Sequence, residues 1–192
     1  LGAGRPTGFM PVAKAQDGLV SLPWVRAAVR DHVTACHFVA GYAIEETAAQ
    51  LEGFSIEYNP RWQETGSVAS LLCAPLQQDQ HVLASYADVV FRQSIVARLA
   101  ADSADIAIAI DSRWRARYDG RTQRDLAVAE KIRLAPSGGL MAIGRDVAID
   151  TADAEFAGLV RLSAAVMHRL HQPDAMPANL RDKGSLTELI AW

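Results

Sequence analysis

The stretch that most constrains the fold is His81-Val-Leu-Ala-Ser-Tyr-Ala-Asp-Val-Val-Phe91. Residues 82–87 form a run of apolar or small side chains between two helical patterns, which is typical of an inner strand of a parallel sheet. Ligands of such sheets bind where strands end at their carboxyl edge, and Asp88 falls at that edge. A carboxylate there can hold a divalent cation that grips phosphate oxygens. Alternatively, Asp88 caps a helix expected over residues 93–101.

Length and composition limit the class of protein. The chain has 192 residues, half of them apolar and about a fifth charged, as expected for one globular α/β domain with its own core. The net charge of −3 excludes a broad basic surface, so we expect no nucleic-acid partner. No apolar run reaches membrane-spanning length, and Cys36 and Cys73 form no CxxC motif. We therefore expect no signal peptide, no membrane partner, reduced thiols and a cytoplasmic location.

Strands and helices alternate along the chain, which is the pattern of a parallel α/β sheet. Strands are expected over residues 36–40, 54–58, 82–87, 106–110 and 156–162, with a hairpin of residues 131–135 and 140–144. Helices are expected over residues 22–33, 44–51, 67–74, 93–101 and 164–170. Residues 172–183 are expected to form a polar loop before a last helix capped by Ser185.

Two segments are candidates for binding phosphate. Leu1-Gly-Ala-Gly-Arg-Pro-Thr-Gly8 is a glycine-rich loop whose backbone N–H groups can turn toward an anion, although many surface turns look the same. Lys14 follows it and either reaches a phosphate or is an ordinary surface lysine. Ser112-Arg-Trp-Arg-Ala-Arg-Tyr-Asp-Gly-Arg121 is basic and aromatic. It is either a solvated loop or an anion-binding excursion from the sheet edge, because arginine suits phosphate and phosphonate oxygens.

Several short segments also occur in the order found in a known family. They are Leu1-Gly-Ala-Gly4, Tyr58-Asn-Pro-Arg-Trp-Gln-Glu-Thr65 followed by Ser67-Val-Ala-Ser-Leu71, Ser85-Tyr-Ala-Asp-Val-Val-Phe91, Ile110-Asp-Ser-Arg-Trp114, Glu130-Lys131, Ile143-Gly-Arg145 and Glu155-Phe-Ala-Gly-Leu159. Together they resemble the Rossmann-like nucleotidyltransferases, and within them the phosphonate and phosphocholine cytidylyltransferases. Some of these are fused to phosphoenolpyruvate mutase in phosphonate antibiotic biosynthesis.

The sequence departs from the family pattern at the opening loop. Arg5-Pro-Thr-Gly8 lacks a second glycine and an arginine at their usual places. The family's Pro-Lys pair is not intact, because two residues separate Pro11 from Lys14. Ala87 stands where glycine is common. We expect residues 1–192 to be a single cytidylyltransferase-like domain. The family's first strand and its closing segment, which usually supplies a second metal-binding aspartate, are expected to lie outside this sequence, or else the site is atypical.

The resemblance implies a fold and a reaction. The fold would be α/β, Rossmann-like and three-layered α/β/α, with a mainly parallel mixed sheet and a β-hairpin excursion. The reaction would be a magnesium-dependent transfer of CMP from CTP to 2-hydroxyethylphosphonate or 2-aminoethylphosphonate, with release of pyrophosphate. Phosphocholine or sugar-1-phosphate nucleotidyltransferases and a non-catalytic nucleotide-binding domain are the alternatives. CTP, a small phosphonate or phosphate acceptor and a fused or adjacent phosphoenolpyruvate mutase domain are the implied partners.

The resemblance also implies roles for individual residues. The catalytic residues would be Lys14 and Asp88, and Asp88 would hold Mg²⁺. The nucleotide would be bound by Leu1, Gly2, Ala3, Gly4, Arg5, Ser67 and Ala87. The acceptor would be bound by Asp111, Arg121, Lys131 and Glu155.

Overall fold

The computed structural model describes residues 21–42, 51–172 and 174–192. The glycine-rich loop, Lys14 and nearly all of the helix expected over residues 44–51 lie outside the described residues. The strands are β1 His37–Ala40, β2 Ser55–Tyr58, β3 Val82–Ser85, β4 Ile106–Asp111, β5 Lys131–Leu134, β6 Leu140–Gly144 and β7 Ala154–Leu162. The helices are α1 Ser21–Val29, α2 Ser67–Cys73, α3 Gln93–Ala101, α4 Gln123–Ala127, α5 Ala164–His171, α6 Ala178–Lys183 and α7 Leu186–Ala191, with 3₁₀ turns at Trp114–Tyr118 and Ile149–Thr151.

The long strand β7 organises the larger sheet. β4 runs antiparallel along one edge of β7, from Ile106 opposite Leu162 to Asp111 opposite Glu155. β3 and β5 share the other edge of β7. β3 pairs with the last four residues of β7, and β5 pairs with the first two. β6 completes the sheet as the outer strand of a hairpin with β5. Two strands therefore meet end to end on one edge of β7, and the space between their ends is open.

The α/β fold and the mixed sheet are confirmed, but the expected excess of parallel pairing is not found among the described strands. β1 and β2 pair in parallel. The four pairings of the larger sheet are all antiparallel, because β7 lies between β3 and β4, which the sequence pattern predicted to be inner strands of a parallel sheet. β3 is also half-buried rather than buried.

Helices cover both faces of the sheet, as the alternation of side chains along β7 requires. On one face Leu159 packs with α1 and α3 in a cluster of Ala28, Val29, Val96, Leu99, Ala107 and Leu159. On the other face Val160 and Leu162 pack with α2, α5 and α7. That larger cluster includes Val68, Ile132, Phe156, Met167, Leu170, Leu186, Leu189 and Ile190. The domain is a three-layer α/β/α structure, as predicted.

Three local predictions need correction. Residues 172–183 are not a loop throughout, because α6 forms over Ala178–Lys183 after Pro177, which stands at its N-terminal boundary. The basic segment is not a plain loop, because it contains the 3₁₀ turn Trp114–Tyr118 and is followed by α4, whose Thr122–Asp125 capping box the sequence analysis missed. Helix α3 begins after Arg92, so Asp88 is not its cap.

The last helix follows the prediction. Ser185 accepts a hydrogen bond from the backbone of Glu188, and the Glu188 side chain accepts one from the Ser185 backbone. This reciprocal capping box satisfies two backbone donors at the start of α7. None of the helices in the described part of the chain is long and apolar enough to cross a membrane.

Candidate active site

A cavity of about 790 Å³ lies where β3 ends and β5 begins, beside the part of β7 that pairs with neither of these strands. Its volume is in the range of sites that bind small molecules. Gly158 lies on the open edge, next to the residues paired with β3, and has φ +76; a Cβ there would come within 2.9 Å of the ring of Tyr86 and 3.0 Å of Val89. Only glycine lets the segment after β3 pack this closely on β7.

Asp88 lines this cavity and lies two residues after Tyr86 in the sequence. Its side chain is exposed, and among the described residues it makes no hydrogen bond or ion pair. A carboxylate that is not satisfied by protein donors keeps its oxygen lone pairs for a ligand. β3 ends at Ser85, earlier than the predicted bound at residue 87, so Asp88 lies three residues beyond the carboxyl end of the strand.

Tyr86 holds the segment that carries Asp88. Its hydroxyl donates to both carboxylate oxygens of Glu130, each at 3.1 Å, and its ring packs edge-on against Phe156 at 6.0 Å between centroids. Its backbone N–H donates to the carbonyl of Gly158 at 3.0 Å. Burial, followed by the charge and the hydrogen bond of Glu130, raises the pKa of Tyr86 well above its usual range, so the phenol stays a proton donor.

Three of the predicted acceptor residues form one row across the sheet. Asp111 of β4 and Lys131 of β5 both lie directly opposite Glu155 of β7, on its two edges. Residues paired across strands project to the same face of a sheet. Motifs that are far apart in the sequence are therefore brought together, and Asp111 and Glu155 line the cavity.

The 3₁₀ turn Trp114–Tyr118 fixes the two carboxylates of this row. Arg117 donates through Nε to Asp111 at 2.9 Å and through Nη2 to Glu155. Tyr118 donates its hydroxyl to the other oxygen of Glu155 at 2.7 Å. Trp114 is fully buried against Ala129 and Ala152 and anchors the turn.

The hydroxyl of Tyr118 is a neutral donor at physiological pH. Burial is the largest cause that raises its pKa, and the hydrogen bond and charge of Glu155 add to it, bringing the value to about 12. A phenol next to a carboxylate resists ionisation because a second negative charge would be repelled. The Tyr118–Glu155 contact is therefore stable across the neutral range.

Two predicted acceptor residues are not among those lining the cavity. The Lys131 side chain is buried, and its ammonium donates to the carbonyls of Ala127 at 3.3 Å and Ala129 at 3.0 Å. Burial lowers the pKa of Lys131, against the opposing charges of Asp146 and Glu155. The guanidinium of Arg121 lies 5.8 Å from the centroid of the Tyr118 ring. Lys131 therefore caps the end of α4 and Arg121 stacks on the turn.

Of the residues predicted to bind the nucleotide, only Ser67 and Ala87 are among the described residues. Ser67, the first residue of α2, lines the cavity. Ala87 packs with Phe38, Leu51 and Phe54 beside the smaller sheet. The remaining residues proposed for the nucleotide, Leu1 to Arg5, and the proposed catalytic Lys14 lie outside the described residues.

The sequence analysis assigned no role in a binding site to four polar residues that line the cavity: Tyr86, Glu130, Arg145 and Ser185. Glu130 also accepts a hydrogen bond from the buried Thr187 at 3.2 Å, so it joins β3 to α7. Glu130 and Arg145 stand in segments that carry the family resemblance, but their contacts depend on strand pairing. Ser185 was recognised as a helix cap, and that signal says nothing about a cavity.

The described lining is rich in acidic side chains. Four carboxylates face two guanidinium groups, in the residues Asp88, Asp111, Glu130, Glu155, Arg117 and Arg145. No group of three or more histidine, cysteine, aspartate or glutamate side chains suited to a metal ion is found among the described residues. A single free carboxylate still fits Mg²⁺, which is usually held by one or two carboxylates together with substrate phosphates.

Comparison with known proteins finds a similar sequence in one CTP-dependent enzyme and a similar fold in another. No protein-family model matches the chain. The sequence is 27% identical over 135 residues to a CTP:phosphoglutamine cytidylyltransferase from Campylobacter jejuni, an alignment that covers 65% of this chain and 53% of the relative. The chain thus spans about half the length of that relative.

The fold is similar to that of the inositol-1-phosphate CTP transferase from T. maritima. The TM-score is 0.66 at 15% sequence identity, and the match covers 97% of this chain and 77% of the other. At this identity the match shows the fold alone. The chain therefore has an α/β nucleotidyltransferase fold and a sequence similar to a cytidylyltransferase.

Proposed function

We propose that this chain transfers CMP from CTP to a small acceptor that carries a phosphonate group. An acceptor oxygen forms a bond to the α-phosphorus of CTP, and the bond from that phosphorus to the β-phosphate oxygen breaks, so pyrophosphate leaves. A phosphonate oxygen is deprotonated near neutral pH and needs no general base. The protein must then mainly position the two substrates and balance their charge.

The observation that carries this proposal is the carboxylate of Asp88, which lies in a cavity at the end of β3 and has no hydrogen-bond or ion-pair partner in the described part of the chain. Ligands of α/β sheets bind at such strand ends. The similarity in sequence to a CTP:phosphoglutamine cytidylyltransferase supports CTP as the donor.

Magnesium fits Asp88, because its carboxylate is a hard oxygen ligand that forms no hydrogen bond or ion pair with a described side chain. When bound, Mg²⁺ would neutralise charge on the triphosphate. Asp88 would hold the ion, and the Tyr86–Glu130 contact would keep Asp88 in place. Lys14 and the backbone of Leu1 to Arg5 are proposed to hold the triphosphate, on the basis of the family resemblance.

Within the phosphonates, the lining favours 2-aminoethylphosphonate over 2-hydroxyethylphosphonate. Asp111 and Glu155 present two negative charges near the cavity wall, and Arg117 balances one of them. An ammonium group gains a charge-assisted hydrogen bond from such a pair, whereas a hydroxyl group gains a weaker neutral one. A positive group at the far end of the acceptor would thus complete the charge balance of the row.

An acceptor panel with pyrophosphate release as the readout tests the proposal. The panel contains 2-aminoethylphosphonate, 2-hydroxyethylphosphonate, phosphocholine, phosphoglutamine, inositol-1-phosphate and glucose-1-phosphate, each with CTP and Mg²⁺. We expect turnover to be fastest with 2-aminoethylphosphonate. Fastest turnover with a sugar or inositol phosphate would contradict the acceptor class, and no turnover with any acceptor would contradict the activity.

A further inference from the structure

We propose that Arg145 binds the phosphonate or phosphate oxygens of the acceptor. This inference rests on the proposed function, because it assigns a residue to the acceptor side of the same site. Arg145 stands in a segment that carries the family resemblance, but the sequence analysis gave it no role and assigned the acceptor to Arg121 instead.

The charge balance of the cavity is the first argument. Four described carboxylates line it, so an anionic group would be repelled unless a cation met it there. Arg117 cannot bind the anionic group without breaking its contacts, because its guanidinium is bound to both Asp111 and Glu155. Arg145 is the lining cation that makes no hydrogen bond or ion pair among the described residues.

The placement of Arg145 is the second argument. It directly follows Gly144, which lies opposite Lys131 in the β5–β6 hairpin. It therefore lies just after the end of β6, the strand next to the one that carries Lys131 in the row of Asp111, Glu155 and Lys131. From there a guanidinium can meet one end of a small acceptor while the carboxylates of the row meet the other end.

Arg145 and Asp88 line the same cavity, together with Tyr86. An anion held by Arg145 would lie near the carboxylate proposed to hold the metal ion, where the acceptor oxygen must react.

Two other described cations close to the site, Lys131 and Arg121, already have partners. The ammonium of Lys131 is buried and donates to two backbone carbonyls. The guanidinium of Arg121 lies over the Tyr118 ring, and Arg121 is not among the residues that line the cavity. Because a guanidinium keeps its charge at any working pH and can bind two phosphonate oxygens at once, Arg145 suits the role chemically.

The test compares Arg145→Ala, Arg145→Lys and Arg133→Ala with the unmodified chain. Arg133 is a matched control, because it is an exposed arginine of the same hairpin outside the cavity lining. Binding of 2-aminoethylphosphonate in the presence of CTP and Mg²⁺ is followed by ³¹P NMR titration at a pH where turnover is slow. KM values for acceptor and for CTP are measured separately.

Loss of one or two charge-assisted hydrogen bonds should weaken acceptor binding in Arg145→Ala roughly tenfold to a hundredfold. We expect the KM for CTP to change less than about threefold, Arg145→Lys to recover part of the loss, and Arg133→Ala to behave as the unmodified chain. Unchanged acceptor affinity in Arg145→Ala, or an equal loss in Arg133→Ala, would overturn the inference. If the unmodified chain binds the phosphonate but releases no pyrophosphate, the proposed activity fails while the binding role of Arg145 is still decided by the titration.

Discussion

At the scale of single residues, Asp88 is the group on which the proposed chemistry depends most. Its carboxylate has no partner among the described residues, so Asp88→Asn should leave the melting temperature within about 1–2 °C of the parent. The rate of pyrophosphate release at saturating Mg²⁺ should fall at least about a hundredfold, because the charge that anchors the cation is lost. Asp119→Asn, an exposed aspartate outside the cavity lining, is the control and should keep its activity. Activity near that of the parent in Asp88→Asn would contradict the assignment.

Tyr118 gives a second prediction at this scale, in the alkaline range. Its pKa is raised to about 12 by burial and by Glu155, so the folded state holds the phenolic proton more tightly than the unfolded state, where the value is about 10. The stabilisation from this shift is fully present below about pH 10 and is lost as the pH rises to about 12. Urea unfolding at a series of pH values should show a steeper fall in the free energy of unfolding for the parent than for Tyr118→Phe across that interval. Equal slopes would show that the Tyr118–Glu155 contact does not form.

At the scale of elements, the packing of the segment after β3 on β7 depends on Gly158. Gly158→Ala would combine a positive φ of +76 with contacts of 2.9 Å to Tyr86 and 3.0 Å to Val89. We expect a loss of about 2–4 kcal/mol in the free energy of unfolding and a lower rate, because the segment that carries Asp88 must move. Gly120→Ala is the matched control, since Gly120 has the same φ of +76 with nothing within 4 Å of the new Cβ. Its cost should be about 1 kcal/mol with little change in rate, and an equal effect of both substitutions would contradict the packing role of Gly158.

The elements show which parts of the fold local sequence patterns can predict. Helix α3 was predicted at its observed bounds, and β6 likewise, because apolar spacing and flanking turn residues define each of them locally. Helix α6 was missed because its short polar sequence carries no apolar stripe, and contacts with distant parts of the sequence, such as the Arg61–Asp182 pair at 2.9 Å, cannot be read from it locally. The direction of strand pairing was wrong for the larger sheet, because alternation of strands and helices does not show that β7 enters between β3 and β4.

At the scale of the whole molecule, the site is assembled by strand pairing over long distances in the sequence. Asp88, Asp111 and Glu155 were predicted because strand ends and a family resemblance point to them, and the structure brings all three to one cavity. Glu130 and Arg145 were not predicted, because their roles depend on the contact of Tyr86 with Glu130 and on the pairing of Gly144 with Lys131. Arg121 and Lys131 were expected at the acceptor because of the family resemblance, and stacking of Arg121 and burial of Lys131 give them other contacts.

The central claim is that the chain joins CMP to a small phosphonate at the cavity beside Asp88. The most direct measurement is ³¹P NMR of the unmodified chain with CTP, 2-aminoethylphosphonate and Mg²⁺, with Asp88→Asn run in parallel. We expect two new, mutually coupled resonances from a phosphonate–phosphate anhydride, in a ratio of about one to one with the pyrophosphate released, and neither product at a comparable rate with Asp88→Asn. Pyrophosphate without the coupled pair, equal product with Asp88→Asn, or equal product when ATP replaces CTP would contradict the account.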